Sequence, residues 1–213
     1  MRSQLHKLFP KQVPIFAIFV EYTGISMHRK LKNNELGRLS TEEFKEAEKI
    51  NVTVVLDNIR SQHNIGAAFR TSDSFLIEKM VLCGCCATPP TAEIHNSALG
   101  AEFSVDWEYN KETIDAVTAL KEAGYTIISI EQAENSIKLQ DIGEYLSPDN
   151  LSGRKYALVF GNEVKGVQQE VVDMSDAVIE IPQYGTKHSL NISVSLGIVL
   201  WEFCKRLKIR GGC

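Results

Sequence analysis

The sequence of 213 residues lacks both a long apolar run and an excess of positive charge. A membrane-spanning helix needs about eighteen or more apolar residues in a row, so we expect no membrane partner. The formal net charge is −4. Because nucleic-acid-binding domains are usually basic, an RNA partner would need a local basic surface, or one assembled between subunits.

The five cysteines form no recognisable metal-binding pattern. Cys83, Cys85 and Cys86 lie together at the end of an apolar segment, whereas Cys204 and Cys213 are far along the chain. There is no C-x-x-C pair and no histidine at zinc-ligand spacing. The sequence therefore predicts free, reduced thiols in a cytoplasmic protein, and no metal site.

The common nucleotide-binding motifs are also missing. No G-x-G-x-x-G follows any predicted strand. Gly161 and Gly166 are five residues apart, as in a phosphate-binding loop, but Val167 and Gln168 stand where that loop has its lysine and its serine or threonine. Ordinary dinucleotide binding and binding of nucleotide phosphates are therefore disfavoured.

What the sequence does contain is an alternation of apolar, β-prone segments with helical ones. The predicted strands are 52–57, 79–83, 103–107, 125–130, 156–160 and 177–181. The predicted helices are one that follows the loop at 58, then 92–99, 111–123, 167–172 and a largely buried one at 192–203. This order predicts an α/β fold with a mainly parallel sheet and helices on both faces.

The chain is expected to divide into three parts. Residues 1–26 form an N-terminal extension, with Met27 as an alternative start; residues 27–50 form a helical arm; residues 51–213 form the α/β domain. The arm carries a basic cluster, which is either a solvated surface or an RNA contact, and a capping-box pattern beginning at Ser40.

Three polar loops follow predicted strands, where α/β sheets usually place their ligand sites. The first contains Asn64, Gly66 and Arg70, the second contains residues 160–166, and the third contains Ser189 and Asn191. Each loop taken alone has a structural explanation. The glycines could allow close packing, and Ser189 and Asn191 are residue types that favour a helix N-cap.

Together, in this order and spacing, the three loops resemble the motifs of the SpoU/TrmH family of RNA ribose 2′-O-methyltransferases, within the SPOUT superfamily. The resemblance covers residues 51–205, nearly all of the α/β domain. It implies that residues 51–213 are a SPOUT methyltransferase catalytic domain with a deep trefoil knot near the C-terminus. It also implies S-adenosylmethionine as the cofactor, tRNA or rRNA as the substrate, and a homodimer.

The resemblance also implies roles for individual residues. Arg70 would bind a phosphate and activate the 2′-hydroxyl, and Asn64 would orient Arg70 and the ribose. Glu163 would fix the arginine or an amide of the cofactor loop, while Ser189 and Asn191 would complete the polar pocket. The residues expected to hold the cofactor are Leu158, Phe160, Gly161, Ile181, Pro182, Gln183 and Leu190. His63 and His188 border the motifs and receive no role.

Two other functions stay open from the sequence. A methyltransferase of the same superfamily could modify a base instead of a ribose, although the three motifs fit the ribose branch better. A catalytically idle RNA-binding or dimerising module could have kept the fold, although the intact Asn64, Arg70, Glu163 and Asn191 argue against it.

Overall fold

The computed structural model describes residues 28–146 and 153–208, and the chain separates into two compact units, Met1–Arg38 and Leu39–Cys213. The described part of the first unit holds a 3₁₀ helix, Asn33–Glu35. The guanidinium of Arg29 lies 3.0 Å from the Glu35 carboxylate and lowers the pKa of Glu35. The predictions for residues 1–26 and Met27 lie outside the described residues.

The second unit is an α/β domain. Its strands are β1 Ile50–Asp57, β2 Ile77–Cys83, β3 Trp107–Asn110, β4 Tyr125–Ile130, β5 Ile137–Lys138, β6 Lys155–Phe160 and β7 Ala177–Glu180. Its α-helices are α1 Thr41–Glu46, α2 Gln62–Ser74, α3 Ala92–Ala98, α4 Ala101–Ser104, α5 Thr113–Glu122, α6 Ile142–Tyr145, α7 Gln169–Met174 and α8 Ile192–Lys208. A 3₁₀ turn, Leu139–Asp141, precedes α6.

The seven strands form one sheet in the order β3-β2-β1-β6-β4-β7-β5, and every pairing is parallel. The predicted α/β class with a parallel sheet is therefore confirmed. Phe160 at the end of β6 pairs with Leu56 of β1 on one side and with Ile130 of β4 on the other. Because parallel strands end at the same edge, the loops that follow β1, β4 and β6 leave the sheet side by side.

The core has one apolar layer on each face of the sheet. Helices α2 and α8 cover one face, where Val54 and Leu158 pack with Phe203. Helices α5 and α7 cover the other face, where Val117 packs with residues such as Ile127. The central strands are buried on both sides, which explains why their sequences are continuous apolar runs without alternation.

The start of the domain follows its sequence signal closely. The hydroxyl of Ser40 accepts a hydrogen bond from the backbone N–H of Glu43, whose carboxylate accepts one from the N–H of Ser40. This confirms the predicted capping box at the first turn of α1. Phe44 then buries its ring in the core and anchors the helix to the domain.

One predicted strand was wrong. Residues 103–107 alternate Phe103, Val105 and Trp107, but residues Ala101–Ser104 form helix α4 and the strand starts only at Trp107. The cause lies just upstream, because Leu99 and Gly100 both have positive φ angles. That turn redirects the chain into a second helical turn before it can extend.

The prediction for α8 also needs correction. The sequence predicts a largely buried helix over residues 192–203, in which Val194, Ile198 and Trp201 recur at helical spacing. Those three side chains form an exposed stripe, with Trp201 61% exposed. The opposite face enters the core through Leu196, Val199, Leu200 and Phe203. Because both faces are apolar, periodicity alone did not distinguish them.

Candidate active site

The three polar loops meet through a chain of hydrogen bonds. Asn64 Nδ2 donates to Glu163 Oε1 at 2.6 Å, and Asn191 Nδ2 donates to Asn64 Oδ1 at 3.1 Å. One residue comes from each motif, and 127 residues separate the two asparagines in sequence. The fold thus brings together three of the five residues predicted to be catalytic.

Two helix N-termini place the asparagines. Ser61 caps α2 by accepting a hydrogen bond from the N–H of Asn64 at 3.2 Å. Asn191 precedes α8, and its Oδ1 accepts hydrogen bonds from the N–H and the hydroxyl of Ser193. Capping and participation in the cluster are therefore compatible for Asn191, because Oδ1 serves the helix and Nδ2 serves Asn64.

A buried carboxylate at the end of β1 ties the β6 loop to the sheet. Asp57 is fully buried and accepts hydrogen bonds from the Thr113 hydroxyl at 2.6 Å and from the backbone N–H of Gln168 at 2.8 Å. The Gln168 side chain adds a third bond at 2.7 Å. A buried charge is tolerated only when its acceptor sites are satisfied in this way. The end of the loop that carries Glu163 is therefore fixed to the carboxyl end of β1 through Gln168 and Asp57.

Beside the cluster lies a cleft of about 330 Å³ at the carboxyl ends of β4, β6 and β7. We call it the cofactor cleft. Five of the seven predicted cofactor residues line it: Phe160, Gly161, Ile181, Gln183 and Leu190. Glu163 and Ser189 line it as well. The volume lies at the lower end of the range for small-molecule sites, about 300–1,000 Å³.

Two of the residues predicted to hold the cofactor do not line the cleft. Leu158 is fully buried in the middle of β6, two residues before the strand ends, so its side chain belongs to the core. Pro182 is also absent from the lining, although both of its neighbours in sequence belong to it.

Glycines shape the floor of the cofactor cleft. A Cβ on Gly161 would lie 2.1 Å from the backbone of Gly166, so no larger residue fits there. Gly166 has a φ of +68°, and a Cβ on it would lie 2.0 Å from Glu131 Oε2. The tight turn of the loop after β6 explains Gly161, whereas the positive φ and the nearby Glu131 side chain explain Gly166. Neither glycine requires a phosphate-binding motif.

Glu131 lines the cofactor cleft, although no sequence motif predicts it. It follows β4, and its carboxylate accepts hydrogen bonds from the backbone N–H groups of Val167 at 2.9 Å and Gln132 at 2.8 Å. Next to it, the Gln132 amide donates to the carbonyl of His188 at 2.6 Å. Its position at the carboxyl end of a strand was the signal that could have found it. The other lining residues without a predicted role are Ile130, Gln132, Asn162, Val164, Lys165, Gly166, His188, Ile192 and Ser195.

Arg70 lies outside both the hydrogen-bonded cluster and the cofactor cleft, unlike the other four residues predicted to be catalytic. It lies on α2, six residues after Asn64, with an exposed side chain, and it does not line the cofactor cleft. Within the part of the chain that the structure describes, its guanidinium makes no hydrogen bond or ion pair. Asn64 bonds to Glu163 and Asn191 rather than to Arg70. None of the five N–H donors of the guanidinium is used within residues 28–146 and 153–208, and an anion could accept hydrogen bonds from them.

Comparison with known proteins defines the class of protein. Residues 51–201 match the model of the SpoU rRNA methylase family, and the chain belongs to that family. It is 28% identical over 195 residues to an uncharacterized tRNA/rRNA methyltransferase of Borreliella burgdorferi, covering 89% of this chain and 82% of that one. It is 29% identical over 172 residues to the tRNA (guanosine(18)-2′-O)-methyltransferase of Aquifex aeolicus, covering 79% and 76%.

A solved structure agrees with this assignment. The AdoMet-bound rRNA methyltransferase from Sinorhizobium meliloti superimposes with a TM-score of 0.67 at 25% identity, over 77% of this chain and 60% of that one. The predicted family, the RNA methyltransferase class and S-adenosylmethionine as cofactor are confirmed. The roles of individual residues stay predictions.

Neither a metal site nor a membrane span was found in the described ranges. Residues 28–146 and 153–208 contain no group of three or more His, Cys, Asp or Glu side chains that could hold a metal ion. In the same ranges, no helix is both long and apolar enough to cross a membrane. Cys83, Cys85 and Cys86 are free thiols, as predicted.

Proposed function

We propose that this protein transfers a methyl group from S-adenosylmethionine to a ribose 2′-hydroxyl of a tRNA or rRNA. The observation that carries the proposal is the hydrogen-bonded set of Asn191, Asn64 and Glu163 at the cofactor cleft. Arg70, on the same helix as Asn64, adds a cation without a partner among the described residues. The name of the Aquifex aeolicus relative, which specifies a guanosine 2′-O position, supports the choice of ribose over base.

The cofactor cleft suits S-adenosylmethionine. Its apolar lining, which includes Phe160, Ile181 and Leu190, would hold a flat adenine ring. The glycine floor gives a ligand access to backbone groups, and Gln183 and Ser189 add polar contacts. Leu158 and Pro182 would contribute through the backbone that supports these residues. When bound, the cofactor supplies a methyl group on a sulfonium, which needs no metal to make it a leaving group.

The residues of this chain would act on the hydroxyl. A ribose 2′-hydroxyl is a poor nucleophile at neutral pH, so its oxygen must be aligned and its proton removed as the new C–O bond forms. A guanidinium is practically never deprotonated in proteins, so Arg70 is not the base. Arg70 would bind the adjacent phosphate through two parallel hydrogen bonds and lower the pKa of the hydroxyl, with that phosphate accepting the proton.

The hydrogen-bonded cluster would fix the rest of the site. Asn64 is buried, and both the nitrogen and the oxygen of its side-chain amide are hydrogen bonded, so it is suited to fix the relative positions of the three loops. Glu163 and Asn191 would then be positioned by Asn64 at the ribose side of the cleft. Ser189 is exposed at the lining and would complete the polar pocket around the hydroxyl.

A homodimer and a trefoil knot belong to the same proposal. The exposed apolar stripe of Val194, Ile198 and Trp201 on α8 is the surface that a second copy would cover. After β7 the chain returns to α8, which packs against α2 and β1, so the loop between them crosses the ends of β4 and β6. That crossing is where a C-terminal segment would thread through the chain.

The domain boundaries and the location also remain proposals. Residues 51–213 would be the catalytic domain, residues 27–50 an arm that helps to select RNA, and residues 1–26 an extension. A cytoplasmic location stays a prediction from the free thiols of Cys83, Cys85 and Cys86.

The proposed function is tested by transfer of labelled methyl from S-adenosylmethionine to total tRNA and rRNA, taken from a strain that lacks this protein. Digestion to nucleosides and mass spectrometry should reveal one 2′-O-methylated nucleoside. Label found only on a base would favour a base methyltransferase, and cofactor binding without any transfer would favour an idle module.

A further inference from the structure

A second cleft, of about 280 Å³, shares no lining residue with the cofactor cleft. It lies where the segment after β2 meets α3 and α4, and Pro89, Pro90, His95, Glu102 and Phe103 contribute to its lining. We call it the Phe103 cleft. Its volume is below the usual range for drug-sized ligands and suits a single flat ring system.

The polar part of the Phe103 cleft is a carboxylate and histidine pair. The side chain of Glu102 is only 3% exposed, and its Oε1 is hydrogen bonded to Nδ1 of His95. Its second oxygen, Oε2, is buried and has no hydrogen-bond partner in the described part of the chain. An unpaired buried carboxylate oxygen is costly, so a donor that entered the cleft beside it would be favoured.

The apolar part of the Phe103 cleft is the exposed phenyl ring of Phe103, which lies beside the ring of His95. Phe103 is 59% exposed, although the other three residues of its helix, α4, are buried. Its ring centroid lies 6.0 Å from that of His95, with 57° between the ring planes. The His95 side chain is also 59% exposed. A flat ligand could stack on the phenyl ring with its edge directed at the histidine and the glutamate.

The Phe103 cleft lies on a helix, α3, that packs directly against the helix of the catalytic cluster, α2. Helix α3, which carries His95, packs so closely on α2 that a Cβ on Gly66 would lie 2.5 Å from the carbonyl oxygen of Ile94. Gly66 is two residues after Asn64 and one helical turn before Arg70. A ligand held by α3 would therefore be held next to the helix that carries Asn64 and Arg70.

We infer that the Phe103 cleft binds an unpaired base of the RNA substrate, stacked on Phe103 with its Watson–Crick edge at His95 and Glu102. The inference rests on the proposed function, which supplies RNA as the substrate. Proteins read single-stranded RNA by stacking bases on aromatic rings and by hydrogen bonding their edges. Guanine fits best, because its N1–H and N2–H₂ are adjacent donors and a carboxylate only accepts.

The test measures equilibrium binding of an RNA that the wild-type protein methylates. Phe103→Ala should weaken RNA affinity on the order of tenfold, the scale of a lost base–aromatic stack, and Phe103→Trp should retain or tighten it. Affinity for S-adenosylmethionine should not change. Leu99→Ala is the matched control, because Leu99 is 66% exposed and lies outside the cleft, and it should bind RNA like the wild type.

A second arm tests the edge contact with mononucleotides. Saturation-transfer NMR should show binding of guanosine monophosphate in preference to inosine monophosphate, which lacks the N2 amino group, and Glu102→Gln should reduce that preference. Unchanged RNA affinity in Phe103→Ala would overturn the inference, and equal binding of the two nucleotides would overturn the guanine contact. A wild-type protein that binds guanosine monophosphate through Phe103 but transfers no methyl would instead refute the proposed function.

Discussion

Replacing Arg70 by lysine tests whether this side chain clamps a phosphate or is an ordinary surface cation. Its guanidinium is exposed and has no partner in the described residues, so the substitution should change the free energy of unfolding by less than about 0.5 kcal/mol. A lysine keeps the charge but loses the planar fork. Losing one of two charge-assisted hydrogen bonds costs about 1.5–3 kcal/mol, which corresponds to a loss of roughly ten- to 150-fold in turnover.

The assay is single-turnover transfer of labelled methyl to a validated RNA, with calorimetric affinity for S-adenosylmethionine as the control. Lys111→Ala, which removes an exposed cation that lines neither cleft, controls for the loss of positive charge in Arg70→Ala. Near-wild-type transfer by both Arg70→Lys and Arg70→Ala would remove this arginine from the mechanism. A parallel loss of cofactor affinity would show that its role is structural.

Three further predictions concern the cleft floor, the thiols and the subunit contact. Gly166→Ala should lower the free energy of unfolding by about 1–3 kcal/mol and weaken cofactor binding, because of the positive φ and the contact with Glu131. In the control Gly185→Ala, where no atom lies nearby, the free energy of unfolding measured by denaturant titration should change by less than about 0.5 kcal/mol. At pH 8, iodoacetamide should label Cys85 before Cys83 and Cys86. Burial raises the pKa of Cys83 to about 12 and that of Cys86 to about 11, and so suppresses their reactive thiolates. Equal labelling of the three cysteines, measured by mass spectrometry, would refute this prediction. Trp201→Glu should convert a dimer into a monomer in light scattering, and a wild-type monomer at micromolar concentration would contradict the proposed interface.

Local sequence patterns predicted the sheet well because its central strands are buried on both faces. The strand at residues 125–130 was predicted with the bounds that the structure has. The pattern failed at residues 103–107, where the positive φ angles of Leu99 and Gly100 reversed the chain before an otherwise strand-like sequence. Backbone conformation at a non-glycine such as Leu99 leaves no clear mark in the sequence.

The residues of the candidate site that belong to sequence motifs were predicted, whereas a residue that lines the cleft only through long-range contacts was not. Asn64, Glu163 and Asn191 were recognised by spacing, and their hydrogen bonds bring them together. Glu131 stands in a polar stretch that carries no motif, and its function in the cleft depends on a backbone N–H 36 residues away. Long-range contacts of this kind depend on the strand order, which local patterns do not encode.

The central claim is that the methyl acceptor is a ribose 2′-hydroxyl. The most direct measurement uses two RNAs that differ only at the target nucleotide, one with ribose and one with 2′-deoxyribose, under single-turnover conditions with labelled S-adenosylmethionine. The proposed function predicts methyl transfer to the first RNA and none to the second, with similar binding of both. Equal transfer to the 2′-deoxy RNA would place the methyl group on a base and contradict the claim.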